Sequence, residues 1–196
     1  LVLIENEGNG GLSTATPPIH VATMGIEKVL PSIDHLPAFL NLLGRSGTGQ
    51  KLTTYTHLIH GATPGQKLYV IIIDNGRTNV LKDPVAHSAL HCIRCGACLN
   101  ACPVYRRTGG WAYGWVYPGP IGAILTPHLI GLEKAGTLPF ASTLCGACHE
   151  VCPTGSRKFG NLLDPDSIIR TIIENKRIYI LKEEVGTDPS FYYFFD

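Results

Sequence analysis

Apolar and polar positions in the first 83 residues follow the pattern of short strands separated by turns. Strands are predicted at Leu1–Ile4, at Ile19–Met24 and, in a Thr-rich alternating run, at Leu52–Ile59. The apolar run within Lys67–Asp74 predicts a further strand in a buried sheet, and Asn75-Gly76 ends it. The pattern indicates an incomplete α/β layer, in which at least one helix covers a sheet.

One segment of this region has helical spacing. Ser32 is a candidate N-cap, and Gly44 is a natural stop for a helix that begins at Ile33. Residues three and four apart along that helix are apolar, which predicts one buried face: Ile33, Leu36, Phe39, Leu40 and Leu43.

The rest of the chain is predicted to be mostly helical. Asp83-Pro84 has the capping signature of a short helix, and Ile121 to about Ala135 is a longer candidate that Pro127 should distort. In the tail, Ser167 precedes a candidate helix and Arg177–Leu181 is a candidate strand. We therefore divide the chain into residues 1–83, 84–160 and 161–196. The last segment ends in the aromatic run 191–195.

Composition places the chain among ordinary globular proteins. It has 196 residues, 44% of them hydrophobic, and a formal net charge of +1, which does not favour a nucleic-acid-binding protein. The strongest apolar run, Leu68–Ile73, is too short to span a membrane. The chain starts inside an apolar run without Met, and no signal peptide is visible, so we expect a fragment of a longer protein.

All seven cysteines lie in two runs within one segment. The first run reads Cys92-Ile-Arg-Cys95-Gly-Ala-Cys98-Leu-Asn-Ala-Cys102-Pro103, which is the C-x2-C-x2-C-x3-C-P pattern of bacterial two-cluster iron–sulfur proteins. The second run repeats the pattern with serine in place of its first cysteine: Ser142-Thr-Leu-Cys145-Gly-Ala-Cys148-His-Glu-Val-Cys152-Pro153.

Two other uses of cysteine fit the pattern less well. Disulfides of a secreted protein are disfavoured because the seven cysteines are odd in number, tightly spaced and confined to one segment. Zinc sites use C-x2-C pairs with four ligands per metal, which does not explain two runs that each end in Cys-Pro. Iron–sulfur clusters are the better interpretation, and their thiolate ligands need a reducing compartment, so we expect the cytoplasm.

In two-cluster proteins, the fourth cysteine of each run binds the other cluster. This rule gives two ligand sets. Cluster I takes Cys92, Cys95, Cys98 and Cys152. Cluster II takes Cys145, Cys148 and Cys102, so it lacks one thiolate.

The missing ligand of cluster II leaves three outcomes. Ser142 could bind the fourth iron of a [4Fe–4S] cluster, water or another group could bind it, or the iron could be absent from a [3Fe–4S] cluster. We favour a [4Fe–4S] cluster whose fourth ligand is not cysteine or is labile. Ser142 stands where the cysteine belongs, although its hydroxyl could instead donate a hydrogen bond to a sulfide.

Other features near the cysteines support weaker hypotheses. Residues 84–160 contain six Lys or Arg and two acids, which could attract an acidic partner and favour the reduced clusters. Trp111, Tyr113, Trp115 and Tyr117 pack in the structure or shield a cluster from water. His149 and His91 flank cluster cysteines, and a direct bond from His149 to cluster II is a minor alternative. In the glycine-rich loop 5–11, no helix clearly follows, and a structural role is favoured over ligand binding through Glu5 or Glu7.

The residues resemble a known family. The likeness lies in both cysteine runs, in Tyr113–Gly122 and in the motifs Glu5–Asn9, Met24–Val29 and Asp74–Arg77. These resemble the lactate-utilisation iron–sulfur protein B family of bacterial three-component L-lactate oxidation systems. The resemblance implies an α+β chain, in which the C-terminal part of a sugar-phosphate isomerase/CoA-transferase-like α/β domain precedes an α-helical two-cluster ferredoxin domain. It also implies two [4Fe–4S] clusters and two partners, a CCG-motif cysteine-rich subunit and a small third subunit.

The sequence thus favours an electron-transfer subunit that relays electrons from lactate oxidation and has no catalytic residues of its own. The main alternative is a catalytic subunit that acts on a small hydroxy acid, either at an open iron of cluster II or in the α/β domain. A purely structural cluster protein is a third hypothesis.

Overall fold

A computed structural model describes residues 1–84 and 86–154. The chain divides into two units, of which the first comprises Leu1–Arg77 with Ile93–Cys95 and the second comprises Thr78–Cys92 with the chain from Gly96 onward. Both strands and helices are present, which confirms a mixed α and β chain. The predicted tail helix, tail strand and terminal aromatic run lie outside the described residues.

The first unit begins with an antiparallel strand pair. Strand β1 (Val2–Glu5) pairs with β3 (Tyr55–Leu58), and Val2 lies opposite Leu58. The prediction of a strand at the start of the chain is confirmed. The predicted third strand is correct in position, but it is shorter at both ends than the Thr-rich run.

A short helix, α1 (Asn9–Ala15), begins within the glycine-rich loop, where the sequence pattern predicts none. Glycine disfavours helix, and Gly10 and Gly11 are both in the first turn. Their N–H groups donate to the Glu5 carboxylate at 2.7 and 2.6 Å, so the end of β1 supplies the acceptor that the helix start needs. The sequence does not reveal this contact.

A parallel pair forms the second sheet of this unit. Strand β2 (Ile19–Gly25) runs beside β4 (Lys67–Ile73), and Gly25 lies opposite Ile73, so both carboxyl ends meet at one edge. Both strands match the predictions, but the predicted burial of β4 is wrong. Ile72, for example, is 55% exposed. In the described residues β4 pairs only with β2, so its apolar side chains are incompletely covered.

A 3-10 turn begins at Ile33, where a helix was predicted, and helix α2 (Leu36–Thr48) follows it and ends later than predicted. Ser32 accepts a hydrogen bond from the Asp34 N–H at 3.2 Å and caps a 3-10 turn that leads into the helix. The predicted stop at Gly44 is wrong. The helix ends before Gly49, which has a φ of 75°. A side chain at Gly44 would press on the backbone of residues 50–53, so this glycine serves close packing.

The second unit is helical throughout its described part. Its core contains Val80, Ala86, Leu90, Ile124 and Leu125. Helices α3 to α8 follow in order: Arg77–Lys82, Ala97–Ala101, Pro103–Thr108, Gly119–Ile130, Leu132–Ala135 and Ala147–Glu150.

Two helix predictions for this unit are partly correct. Asp83 accepts a hydrogen bond from the Ala86 N–H at 3.0 Å, but the element that follows is a 3-10 helix, His87–His91. The long candidate is divided into α6 and α7. Pro127 lies inside α6, and the break comes at Gly131, which has a φ of 86°. Within the described ranges, no helix is long and apolar enough to cross a membrane.

Candidate iron–sulfur centre

The two cysteine runs share left-handed backbone conformations at two equivalent positions. Arg94 and Leu144, at equivalent positions, have φ values of 63° and 57°. Gly96 and Gly146 have φ values of 80° and 79°. Left-handed residues in such turns direct successive N–H groups into a concave loop that suits an anionic group, as in many iron–sulfur sites. The repeat seen in the sequence is therefore also a repeat in structure.

Each loop leads into a short helix that carries a cysteine. Gly96 precedes α4, which holds Cys98, and Gly146 precedes α8, which holds Cys148. Helices α4 and α8 pack against each other. This packing brings parts of the two runs together, as a two-cluster arrangement requires.

Three thiols predicted to bind cluster II lie near one another. The pKa of Cys148 is raised to about 11. Burial is the largest cause, and the neighbouring Cys102 and Cys145 act in the same direction. A third negative charge is unfavourable in this group because two other thiols already lie close. Bound iron would supply the missing positive charge and deprotonate its thiol ligands. The donor set therefore fits an iron–sulfur cluster.

Cys145 has the opposite tendency. A hydrogen bond from the Thr143 side chain lowers its pKa, and the Ala147 N–H contributes in the same direction. The Cys145 side chain is also exposed. Because a thiolate is the form that binds metal, this environment suits a ligand.

The last cysteine of each run is held similarly. The N–H groups of Cys102 and Cys152 donate to the carbonyls of Cys98 and His149, each at 3.1 Å. Cys102 is 7% exposed, and its sulfur accepts a hydrogen bond from the Tyr105 N–H at 3.4 Å. The sulfur of Cys152 lies 3.4 Å from the Thr154 hydroxyl.

The remaining predicted ligands of cluster I are half-buried. Cys95 belongs to the first unit, whereas Cys92 and Cys98 belong to the second. In the described part of the chain, no three His, Cys, Asp or Glu side chains are placed to hold a single metal ion. The ligand sets of both clusters stay predictions.

Ser142 has a structural role in its loop. Its hydroxyl oxygen accepts a hydrogen bond from the Leu144 N–H at 3.1 Å, which supports the left-handed turn at Leu144. Its role as the fourth ligand of cluster II is not decided by this contact and stays a prediction.

The aromatic residues between the runs separate into different environments. Tyr113 is 5% exposed. Burial raises the pKa of its hydroxyl, and the nearby Cys102 adds a smaller effect in the same direction. Trp111 is 99% exposed and so neither packs nor shields. Tyr117 packs against the core of the second unit. Only Tyr113, among these three, lies in the position expected of a shielding residue.

His149 is buried beside the cluster II cysteines. It is 3% exposed, and its Nε2 has no hydrogen-bond partner among the described residues. His91 is exposed and makes an edge-on ring contact with His87. The burial of His149 agrees with a position next to the ligands, while its direct bond to iron stays a minor alternative.

The glycine-rich loop of the first unit uses its own carboxylate. Besides the N–H groups of α1, Glu5 contacts the His57 ring at 2.9 Å. Partial burial would raise the pKa of Glu5, but the hydrogen bonds from Gly11, Gly10 and His57 outweigh it and hold that pKa below its ordinary value of 4.5. The contacts favour the structural interpretation of this loop.

This lowered pKa predicts an acid-sensitive contribution to stability. A carboxylate whose pKa is lower in the folded state stabilises the protein when the pH is above its unfolded-state pKa. The stabilisation is lost as the pH falls through its folded-state pKa. We expect Glu5→Gln to lower the Tm near neutral pH, and the difference from wild type to shrink below the ordinary value of 4.5. Thermal unfolding at several pH values measures this difference. Glu7→Gln is the matched control because Glu7 is exposed, and a pH-independent difference for Glu5→Gln would contradict the prediction.

Comparison with known proteins agrees with these features. The family model for the 4Fe-4S dicluster domain matches residues 88–156, and that for the LUD domain matches residues 1–79. Lactate utilization protein B of Shouchella clausii is 48% identical over 157 residues, covering 77% of this chain and 33% of that protein. Over its matched residues, the chain is similar to lactate utilization protein B.

Other lactate utilization B proteins match to a similar extent. Lactate utilization protein B 1 of Bacillus mycoides is 49% identical over 154 residues, covering 77% of this chain and 32% of that protein. The protein of Geobacillus sp. is 43% identical over 159 residues, covering 78% of this chain and 33% of that protein. The chain thus spans about a third of the length of the curated relatives it matches. No solved structure matches. The resemblance noted in the sequence is confirmed.

Two charged residues meet at the carboxyl ends of β2 and β4. Glu27 follows β2, Arg77 follows β4, and Arg77 Nε lies 2.7 Å from Glu27 Oε2. The Arg77 N–H and guanidinium both donate to the Asp74 carbonyl, at 2.9 and 3.0 Å. The sequence pattern alone does not predict this pair. The available signal was the position of each charge, just beyond a parallel strand, where ligands bind in α/β folds.

Proposed function

We propose that the chain is an electron-transfer component of a bacterial L-lactate oxidation system, with two iron–sulfur clusters. The observation that carries the proposal is the pair of equivalent cysteine loops, from which Cys102, Cys145 and Cys148 come together across the two runs. Clusters bound by such loops would accept and donate single electrons. The lactate substrate is supported by the names of the relatives.

The residues of the chain have distinct tasks in this proposal. Cys92, Cys95, Cys98 and Cys152 would bind cluster I, and Cys102, Cys145 and Cys148 would bind cluster II. The fourth iron of cluster II would have a ligand other than cysteine, for which Ser142 is the candidate. The concave loops would direct backbone N–H groups toward the sulfur atoms and stabilise their negative charge.

The surroundings of the sites fit electron exchange with a protein partner. Arg106 and Arg107 are exposed in the last turn of α5, the helix that Cys102 caps. Their charges would favour an acidic partner and raise the reduction potential nearby. The partners proposed from family resemblance are a CCG-motif cysteine-rich subunit and a small third subunit, in the reducing cytoplasm.

Lactate-dependent reduction tests the proposal. We expect the anaerobically purified chain to contain iron and sulfide, and its visible absorption to bleach with L-lactate when the two proposed partners are added. D-lactate with the same partners is the control for a specific reaction. Bleaching by L-lactate in the chain alone would favour the catalytic alternative. Bleaching with another hydroxy acid but not with lactate would reject lactate as the substrate.

Electron paramagnetic resonance tests the fourth position of cluster II. We expect no strong [3Fe–4S] signal from the oxidised protein after anaerobic preparation, because a non-cysteine ligand retains the fourth iron. Ser142→Cys is the informative variant, since it restores the complete pattern and should make that iron harder to remove. A strong [3Fe–4S] signal in the anaerobic wild type would contradict a four-iron cluster II.

A further inference from the structure

The segment Ile93–Cys95 carries a predicted iron ligand and belongs to the first unit. Two contacts within that unit hold the segment. Arg94 Nη2 lies 3.7 Å from Glu27 Oε1. Helix α2 passes the segment at Gly47, where an added Cβ would lie only 2.6 Å from the Cys95 carbonyl oxygen. The backbone of Cys95 is therefore confined by a charge on one neighbouring residue and by a close approach of the helix.

Glu27 is the buried acid that Arg94 contacts. Its side chain is 6% exposed, and its two oxygens have different partners. Oε2 lies 2.7 Å from Arg77, while Oε1 lies 3.7 Å from both Arg94 and Lys28. Arg77 is itself 7% exposed and bonded to the Asp74 carbonyl, so the carboxylate is anchored to the ends of β2 and β4. Arg94 is thereby held against a rigid part of the first unit.

Glycine beside this carboxylate is required for the same arrangement. A Cβ at Gly25 would collide with Glu27 Oε2 and would lie 2.6 Å from Arg77 Nε. The last residue of β2 must therefore lack a side chain for the carboxylate to fold back over the strand end. Gly25 and Glu27, both in the Met24–Val29 motif, are therefore both needed for the contact of Glu27 with Arg77.

The backbone of Arg94 indicates what this contact does. Its φ of 63° is uncommon for a residue other than glycine, asparagine or aspartate. Such conformations cost energy and persist where the surroundings hold them. The equivalent residue of the second loop, Leu144, packs against the core of the second unit. The two loops share a conformation, and each has its own anchor.

We propose that Glu27 and Arg94 act as a positioning pair that fixes Cys95 as an iron ligand. Glu27 acts through Arg94, the residue before Cys95, and neither side chain needs to touch the cluster. Groups that orient metal ligands from outside affect metal retention strongly. The inference rests on the iron–sulfur part of the proposed function and is independent of lactate as the substrate.

Iron release provides the test. The full chain is loaded with iron and sulfide anaerobically, and the transfer of iron to a ferrous chelator is followed in wild type, Arg94→Gln and Glu27→Gln. We expect both variants to release iron about tenfold faster, the size of effect that orienting partners of metal ligands commonly have. Glu7→Gln, which removes an exposed carboxylate from the same unit, should release iron at the wild-type rate.

Arg94→Gln is the decisive charged variant because it leaves the buried pair of Glu27 and Arg77 intact, so its fold should be retained. The reduction potential separates an effect of side-chain charge from an effect on the position of Cys95. Removing the positive charge of Arg94 should lower the reduction potential, and removing the negative charge of Glu27 should raise it. A positioning pair predicts that both changes accelerate iron release, whichever way the potential moves.

Gly47→Ala tests the position of Cys95 without changing charge. Its new Cβ would push the Cys95 carbonyl, and we expect iron release to accelerate as in Arg94→Gln. Gly61→Ala is the matched control, because a Cβ at Gly61 meets nothing within 4 Å. Wild-type iron release in both Arg94→Gln and Gly47→Ala would overturn the positioning role. A wild-type chain that binds no iron would instead overturn the proposed function together with this inference.

Discussion

Replacing Cys102 with alanine is expected to remove the cluster that Cys145 binds, although Cys102 belongs to the other run. Its sulfur is buried and lies close enough to Cys148 to raise the pKa of that thiol. In the proposed arrangement, this sulfur is one of three thiolate ligands of cluster II, so its loss leaves too few to retain a cluster. We expect iron per chain to fall by about half, as loss of one cluster of two requires.

Four cysteine variants can be compared without first assigning each electron paramagnetic resonance signal to a cluster. Cys102→Ala and Cys145→Ala should lose the same electron paramagnetic resonance signal after reduction. Cys152→Ala and Cys95→Ala should both lose the other signal. If Cys102→Ala instead loses the same signal as Cys95→Ala, each run binds its own cluster and the crossed ligand sets are wrong.

Gly122→Ala is expected to destabilise the protein strongly. Gly122 lies in α6, where the surrounding residues are buried, and an added Cβ would overlap the carbonyl oxygen of Tyr117. A backbone atom cannot rotate away as a side chain can, so the start of the helix must shift. Overpacking of this kind costs about 3 kcal/mol.

Thermal unfolding of the loaded protein measures this cost. For a chain of this size, about 3 kcal/mol corresponds to a Tm lower by roughly 10 °C. Gly61→Ala is again the control, and its Tm should stay close to that of wild type because the site is open. A Tm for Gly122→Ala equal to that of the control would show that the Tyr117 carbonyl does not pack against the helix.

Local signals predicted much of this fold. Strands β2 and β4, the cap at Ser32 and the repeated loops follow from short-range patterns of apolar, capping and cysteine residues. Errors arose where a distant group decides the structure. Helix α1 depends on the Glu5 carboxylate, and Gly44 lies inside a helix because the chain after the helix packs against it.

The candidate site shows the same division. Spacing predicted that Cys102 of the first run lies near the second run, and Cys102 is indeed close to Cys148. It could not predict the contact of Glu27 with Arg77 and Arg94. These residues are far apart in sequence, and each charge alone resembles an ordinary surface residue. Only the meeting of the strand ends places them together.

The equivalent loops also differ in how each could change during evolution. The Glu27 carboxylate contacts Arg94, so one substitution at Glu27 can alter the support of the first loop. Leu144 lies among several apolar residues, and a change in any one of them can be absorbed by its neighbours. A duplicated motif can thus diverge in its anchors while its backbone stays the same. The first loop can then change through residues of the first unit, and the second loop through the core of the second unit.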